Sequence, residues 1–223
     1  MTIMASGFEH RLQTLYRDPV RLLIPAMNLP ADKADTTAIN RRMTRFDEHA
    51  QVWLFGYGSL IYKADFAFIE RRPASIRGWG RRFWQGSHDH RGTPQAPGRV
   101  VTLIAAEEAT CVGMAYLVTP ETFASLDVRE KNGYLRLATE LTLDDGRHVE
   151  GLVYIAAPDN AAFLGPASAQ KIARHIAAAH GPSGSNRDYL IHLADALRTL
   201  HADDPHVFEI ERELLDLDAS ATR

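Results

Sequence analysis

The chain has 223 residues, 45% of them hydrophobic and 24% charged, with 25 Lys and Arg against 28 Asp and Glu for a formal net charge of −3. That hydrophobic share supports a packed core of one or two domains and excludes a largely disordered chain. The near balance of charge argues against a general polyanion binder, so no nucleic-acid partner is expected. A single cysteine, Cys111, excludes an intrachain disulfide and a Cys-based zinc cage, and its apolar surroundings predict a core thiol. No apolar run approaches the roughly 20 residues of a membrane span. Glu9, Arg11 and Arg17 interrupt the start in a way unlike a secretory signal. The expected setting is therefore cytoplasmic, with no membrane association.

In chain order, residues 1–50 form an N-terminal helical extension. Phe8, Leu12, Leu15 and Tyr16 have helical spacing up to Asp18-Pro19, and a second helix is predicted from about Asp35 to Ala50. A catalytic domain is expected over 51–218. Val52–Phe55 reads as a short strand closed by Gly56. Val100–Ala105 and Val112–Val118 read as two strands of a hairpin around Glu107–Thr110. A helix is predicted over Pro120–Val128, with Thr119 as N-cap and Pro120 first. Leu135, Leu137, Thr139, Leu141 and Leu143 alternate as a strand, and Asp144-Asp145-Gly146 turns it into Val149–Ala156. Three helices follow, marked by Ile172 and Ile176, by Tyr189, Leu193, Leu197 and Leu200, and by Val207, Ile210, Leu214 and Leu217. Strands first and helices afterwards predict an α+β fold with a mostly antiparallel sheet.

Four segments carry the candidate chemistry. Gly56-Tyr57-Gly58-Ser59-Leu60 follows a strand, and its two glycines let backbone amides approach a ligand. It is neither a nucleophile elbow nor a phosphate loop. Arg81–Gly92 is dense in aromatic, cationic and turn residues; His88 and His90 are the only metal-type pair in it, without a clear third ligand, so no metal is expected. Glu130, between Arg129 and Lys131, follows a helix and precedes a turn, and by itself reads as a solvated charge. Gly181–Leu190 is a turn capped into a helix by Ser185 or Asn186, with Tyr189 facing inward.

Taken in order, Phe55-Gly56-Tyr57-Gly58-Ser59-Leu60-Ile61, Arg82-Phe83-Trp84-Gln85-Gly86-Ser87, Asp89-His90-Arg91-Gly92, Pro97-Gly98-Arg99-Val100-Val101-Thr102-Leu103, Arg129-Glu130-Lys131, Leu164-Gly165-Pro166-Ala167 and Gly181-Pro182-Ser183-Gly184 closely resemble the ChaC family of glutathione-specific gamma-glutamylcyclotransferases. The resemblance covers about Val52 to Leu215. It implies a gamma-glutamylcyclotransferase-like fold, a small mixed β-barrel flanked by helices. It also implies a lyase that cleaves glutathione to 5-oxoproline and Cys-Gly without metal, nucleotide or redox cofactor. Glu130 matches the family's catalytic glutamate, and Gly56, Tyr57, Gly58, Ser59, Leu60 and Ile61 match its substrate loop. Tyr189 matches a tyrosine that orients substrate or packs in the core. Arg129 and Lys131 are expected to point away from Glu130 or to serve the substrate's glycine carboxylate. Tyr62 stands where the family usually has tryptophan and Asn132 where glycine is common; asparagine there suits a left-handed backbone. The alternatives are a cyclotransferase for another gamma-glutamyl amine and a non-catalytic binder of such metabolites.

Overall fold

The structure, a computed structural model, describes residues 35–43 and 50–221. Five strands close into a barrel: β1 (Val52–Gly56), β2 (Glu70–Ser87), β3 (Gly98–Val118), β4 (Tyr134–Leu143) and β5 (His148–Ala156). Their order around the barrel is β1-β3-β2-β4-β5. β1 runs parallel to β5, and the remaining pairs are antiparallel. The β2–β3 pair runs well beyond the closed part, since β2 meets β4 only at Ala74 and Ser75. The helices are α1 (Thr37–Met43), α2 (Thr122–Arg129), α3 (Ala169–Ala178), α4 (Asn186–Thr199) and α5 (Pro205–Ala221), and the two-residue strands β6 (His180–Gly181) and β7 (Gly184–Ser185) precede α4. This is the α+β barrel flanked by helices that the sequence predicts. No helix among the described residues is long and apolar enough to cross a membrane.

Strand alternation explains how one short strand serves two layers. Leu54 and Phe55 are neighbours whose side chains leave opposite faces of β1. Phe55 joins the larger core with Leu135, Leu137, Leu141, Leu143 and the apolar faces of α3, α4 and α5. Leu54 joins a second cluster with Tyr116, Phe123, Leu126 and Tyr154, under α2. The predicted faces of Tyr189, Leu193 and Leu197 and of Val207, Ile210 and Leu214 are buried as expected. Cys111 lies in the core, where burial pushes its thiol up.

Three expectations are corrected. The hairpin around Glu107–Thr110 does not exist, because those residues lie inside the single 21-residue β3. Its partner is β2, which the sequence does not announce, and which takes in Arg81–Ser87. The pairing shifts between Arg77–Thr110 and Trp79–Ala105, so residues 106–109 of β3 oppose Gly78 alone. Such a bulge bends the ladder, and the polar run marks exposure on that bend rather than a turn. The third correction concerns α2, which starts at Thr122 with Glu121 as N-cap, not at Pro120. Thr119 and Pro120 form a turn in which the Thr122 amide donates to the Thr119 carbonyl at 3.1 Å.

Of the extension, Asp35–Met43 is described and contains α1; the expected helix over Phe8–Tyr16 and residues 44–49 lie outside the described residues. The α1 segment docks on the domain. Thr36 and Asn40 are fully buried, and their partners are on β4 and on the turn before it.

Candidate active site

The loop from Gly56 to Ile61 is built by β1 running out of the barrel. After Gly56 the chain turns back at once into a 3-10 turn over Ser59–Ile61. A Cβ on Gly56 would lie 2.5 Å from the Leu60 Cβ, so only glycine permits that fold-back. The amides of Gly58, Ser59 and Leu60 open this turn, where a helix has no carbonyl of its own to offer them. Side chains of β2 and β3 hold the loop's carbonyls. The Tyr116 hydroxyl donates to Leu60 O at 2.6 Å, and Arg71 Nη2 donates to Ile61 O at 2.8 Å.

Arg81 is the least expected of these supports. It is 2% exposed, and its Nε donates to Tyr57 O at 2.7 Å. Its Nη1 meets Asp204 at 2.5 Å and its Nη2 donates to Val112 O at 2.5 Å. No cis peptide occurs among the described residues. In a planar trans peptide the C=O and N–H point in opposite directions. Fixing Tyr57 O on the guanidinium therefore turns the Gly58 N–H away from Arg81, to the side on which Gly58 lines a cavity.

That inner cavity, of about 50 Å³, is lined by Gly56 to Leu60, Val101, Glu130, Tyr134, Tyr154 and Tyr189. It adjoins an outer cleft of about 180 Å³ whose charged lining is Lys63, Asp65, Asp89, His90, Arg91, Arg129 and Glu130. Ser59, Glu130, Tyr134 and Tyr189 belong to both. Glu130 thus stands at the junction of a small amide-lined recess and an ionic cleft.

Glu130 is the C-cap of α2, its amide donating to Leu126 O at 2.8 Å. The negative end of a helix disfavours a carboxylate there. Only 19% of its side chain is exposed. Burial pushes the carboxyl above its ordinary value, while Arg129 and His90 pull it down and Asp89 pushes it up. Burial dominates. Of the two expectations for Arg129, pointing away is not what occurs: its Nε lies 3.3 Å from Glu130 Oε1 and its Nη2 donates to Ser59 Oγ at 2.9 Å. Ser59 thus gives the guanidinium a second anchor. Lys131 faces the other way, its charge acting on Asp35.

The loop residues divide by what they present. Tyr57 sends its side chain into the barrel, the hydroxyl donating to Tyr154 O at 2.7 Å, so only its backbone serves the cavity. Ser59 offers its hydroxyl to Arg129. Ile61 is buried and lines neither cavity. Tyr189 is buried at the cavity wall, with its hydroxyl 3.4 Å from the Val101 amide and Arg91 lying 5.6 Å over its ring. Burial raises its phenol strongly, so it is a neutral hydroxyl. His90 Nδ1 lies 2.9 Å from Ser183 Oγ at the cleft rim.

Tyr62 lines neither cavity. It packs at 5.5 Å against the His192 ring, and burial pushes its phenol to about 12, so the departure at this position does not reshape the site. Asn132 does not adopt the expected left-handed backbone; the positive φ of 83° belongs to Gly133. Ser185, not Asn186, caps α4 by accepting from the Asp188 amide at 3.0 Å. Asn186 instead pins β3, its Oδ1 accepting from the Arg99 amide at 2.6 Å and its Nδ2 donating to Arg99 O at 2.7 Å.

Tyr134 and Asp89 are the site residues that sequence reasoning missed. Tyr134 lines both cavities and donates to Val101 O at 2.9 Å. The available signal was its place at the start of the strand that Glu130 precedes. One carboxylate oxygen of Asp89, Oδ1, is screened from solvent and has no hydrogen-bond partner among the described residues.

The model of ChaC-like proteins matches residues 52–216. Gamma-glutamylcyclotransferase 2-3 of Arabidopsis thaliana is 46% identical over 191 residues, covering 76% of this chain and 96% of that protein. Glutathione-specific gamma-glutamylcyclotransferase 1 of Danio rerio is 44% identical over 176 residues, covering 74% of this chain and 90% of the relative. Among solved structures, the selenomethionine-labelled gamma-glutamylcyclotransferase specific to glutathione from yeast superposes with a TM-score of 0.71 at 33% identity, over 75% of this chain and 97% of that one. The match spans the barrel, the amide loop and the turn that carries Glu130, and the chain belongs to the ChaC-like family of gamma-glutamylcyclotransferases.

Proposed function

We propose that Glu130 is the general acid and base of a glutathione-specific gamma-glutamylcyclotransferase, and that the loop from Gly56 to Leu60 binds the gamma-glutamyl end of the substrate. The protein is a lyase that converts glutathione to 5-oxoproline and cysteinylglycine. The observation that carries the roles is the position of Glu130, a mostly buried carboxylate at the meeting point of an amide-lined recess and an ionic cleft.

The chemistry follows from that placement. The gamma-glutamyl α-amine and the side-chain carbonyl it attacks belong to one molecule, so the protein's first task is to hold the chain folded on itself. Glu130 takes a proton from the α-ammonium, the amine nitrogen bonds to the γ-carbon, and negative charge develops on the carbonyl oxygen. Collapse of that tetrahedral species breaks the bond to cysteinylglycine as Glu130 returns the proton to the leaving nitrogen. Glu130, ionised again, then takes the extra proton left on the ring nitrogen and passes it to the freed amine, which departs as the ammonium. One carboxyl suffices for these transfers. The raised affinity of Glu130 for a proton suits the first step, since an ordinary glutamate is a weak base at neutral pH. The amides of Gly58, Ser59 and Leu60 are donors for the glutamyl carboxylate or the developing oxyanion, held in place before substrate arrives. Lys63, Arg91 and Arg129 in the outer cleft suit the carboxylate at the glycine end.

Incubation of the purified chain with glutathione, followed by chromatographic measurement of 5-oxoproline and cysteinylglycine in equal amounts, tests the assignment. Turnover of gamma-glutamyl dipeptides with glutathione left intact would favour another gamma-glutamyl amine as substrate. Calorimetric binding with no product would make the chain a metabolite binder.

A further inference from the structure

The turn that carries Glu130 is held from outside the catalytic domain. Residues 130–134 connect α2 to β4, and their carbonyls are the handles. Lys131 O accepts from the Thr36 amide and from Thr36 Oγ1, each at 3.0 Å. Tyr134 O accepts from Thr36 Oγ1 at 2.7 Å and from Asn40 Nδ2 at 3.1 Å. Asp35 and Asn132 pair as an isolated antiparallel bridge. From the barrel side Gln85 supports this turn, its Nε2 donating to Asn132 O at 3.0 Å.

Asn40 also reaches below the turn. Its Oδ1 accepts from the Arg136 amide at 2.8 Å, and its carbonyl accepts from Arg136 Nη2 at 2.9 Å. Arg136 is paired at 3.0 Å with Asp127 on the last turn of α2, both side chains being 2% exposed. Thr36 and Asn40 are therefore buried between the helix that ends at Glu130 and the strand that begins four residues later. The family's matched region starts at residue 52, so these contacts come from the extension that precedes it.

We propose that residues 35–40 are a positioning element of the active site: Thr36 and Asn40 fasten the Glu130 turn to β4 and so fix where the carboxylate stands between recess and cleft. The inference rests on the role given to Glu130. Each clamp bond ends on the backbone of the turn or of β4 or on the Arg136 guanidinium, not on the side chain of Glu130. Loosening the clamp leaves the amide loop and the cationic cleft intact, so binding survives while proton transfer loses its geometry. A misplacement of about 1 Å in such a site costs up to about a hundredfold in rate. A looser turn also admits water to Glu130. The groups that face this carboxylate are Arg129 on α2, Asp89 and His90 on the β2–β3 connection, and the phenols of Tyr57, Tyr134 and Tyr189. None of them changes in the variants below.

The test uses the full chain and glutathione, with kcat, KM and the pH dependence of kcat/KM expressed per folded molecule. Thr36→Val keeps the shape and deletes the hydroxyl; Asn40→Ala removes the second anchor; Leu214→Ala, in the core on α5, supplies a destabilised control. Thr36→Val is expected to lower kcat about tenfold or more with KM within about threefold, and to move the acid limb of kcat/KM to lower pH. Leu214→Ala is expected to lower the melting temperature and leave both readouts in place. A wild-type chain without turnover would overturn the role of Glu130 and this inference with it. An active wild type beside Thr36→Val with unchanged kcat and acid limb overturns the clamp alone. Should Asn40→Ala fail to fold, the Thr36→Val result decides.

Discussion

The two halves of the site are supported in opposite ways. The amide loop after β1 is held by side chains of the neighbouring strands β2 and β3, by Arg81 on the Tyr57 carbonyl, Tyr116 on that of Leu60 and Arg71 on that of Ile61. The Glu130 turn is held from its outer side, by Thr36 and Asn40, with Gln85 reaching it from β2. Backbone donors do not titrate, so the loop needs rigidity alone, and charged and phenolic donors from β2 and β3 provide it. A carboxylate that gives and takes a proton needs a set environment as well as a set position. It receives that environment first from burial, then from Arg129 beside it and from His90 and Asp89. Arg129 joins the halves by touching both Ser59 and Glu130.

The sharpest way to separate the halves is to remove the proton carrier. Glu130→Gln keeps the shape of the turn and leaves the loop untouched, so glutathione binding should persist while kcat falls about 10²–10⁴-fold. Calorimetry beside the 5-oxoproline assay reads both quantities; a turnover rate equal to wild type would remove Glu130 from its role.

Arg81→Met is the corresponding strike on the loop. It frees the Tyr57–Gly58 peptide and leaves Asp204 without its buried partner, so both stability and activity drop. Removing one preorganised donor costs on the order of 10²–10³ in kcat. Here the donor stays but its direction loosens, and a loss of about thirtyfold in kcat/KM is expected for the folded fraction. The acid limb set by Glu130 should stay where it is, and a limb that moved with Arg81→Met would show that the halves are not separable.

The same asymmetry governs what could be read from the sequence. The amide loop is legible because its signal is local: a short apolar strand, then two glycines around one residue. The alternation of Leu135, Leu137, Leu141 and Leu143 and the helical faces of α4 and α5 are legible for the same reason, a period of two or of 3.6. Glu130 is not, since a charge between two cations at the end of a helix reads as solvated until the whole order of motifs is compared with a family. Arg81 and Arg136 read as surface residues, because the groups that satisfy them are contributed by other elements: Tyr57 and Asp204 for one, Asp127 and Asn40 for the other. Thr36 and Asn40 have partners more than ninety residues away, which no local pattern can show. The β2–β3 pair hides for a related reason, since its bulge breaks the alternation that marks a strand.

The smallest expected effect is the most discriminating, because it concerns tuning alone. Asp89 and Arg129 act on Glu130 with opposite sign, the first raising and the second lowering its affinity for a proton. Catalysis by the base requires the ionised form, so kcat/KM falls as pH drops through the pKa of Glu130. Asp89→Asn removes a like charge, lowers that pKa and moves the acid limb to lower pH. Arg129→Met removes an opposite charge, raises it and moves the limb to higher pH. It also frees Ser59, so a fall in the plateau rate accompanies its shift, whereas Asp89→Asn should change the plateau by only a few fold. Asp89 Oδ1 has no hydrogen-bond partner among the described residues and lies 3.9 Å from His90 Nε2, so its replacement by an amide breaks no hydrogen bond of that oxygen. Opposite displacements, weakening as salt rises, mean that the environment of Glu130 is set across the cleft by these two charges. Absence of both displacements would mean that burial alone sets it, and that the turn, like the loop, depends on position only.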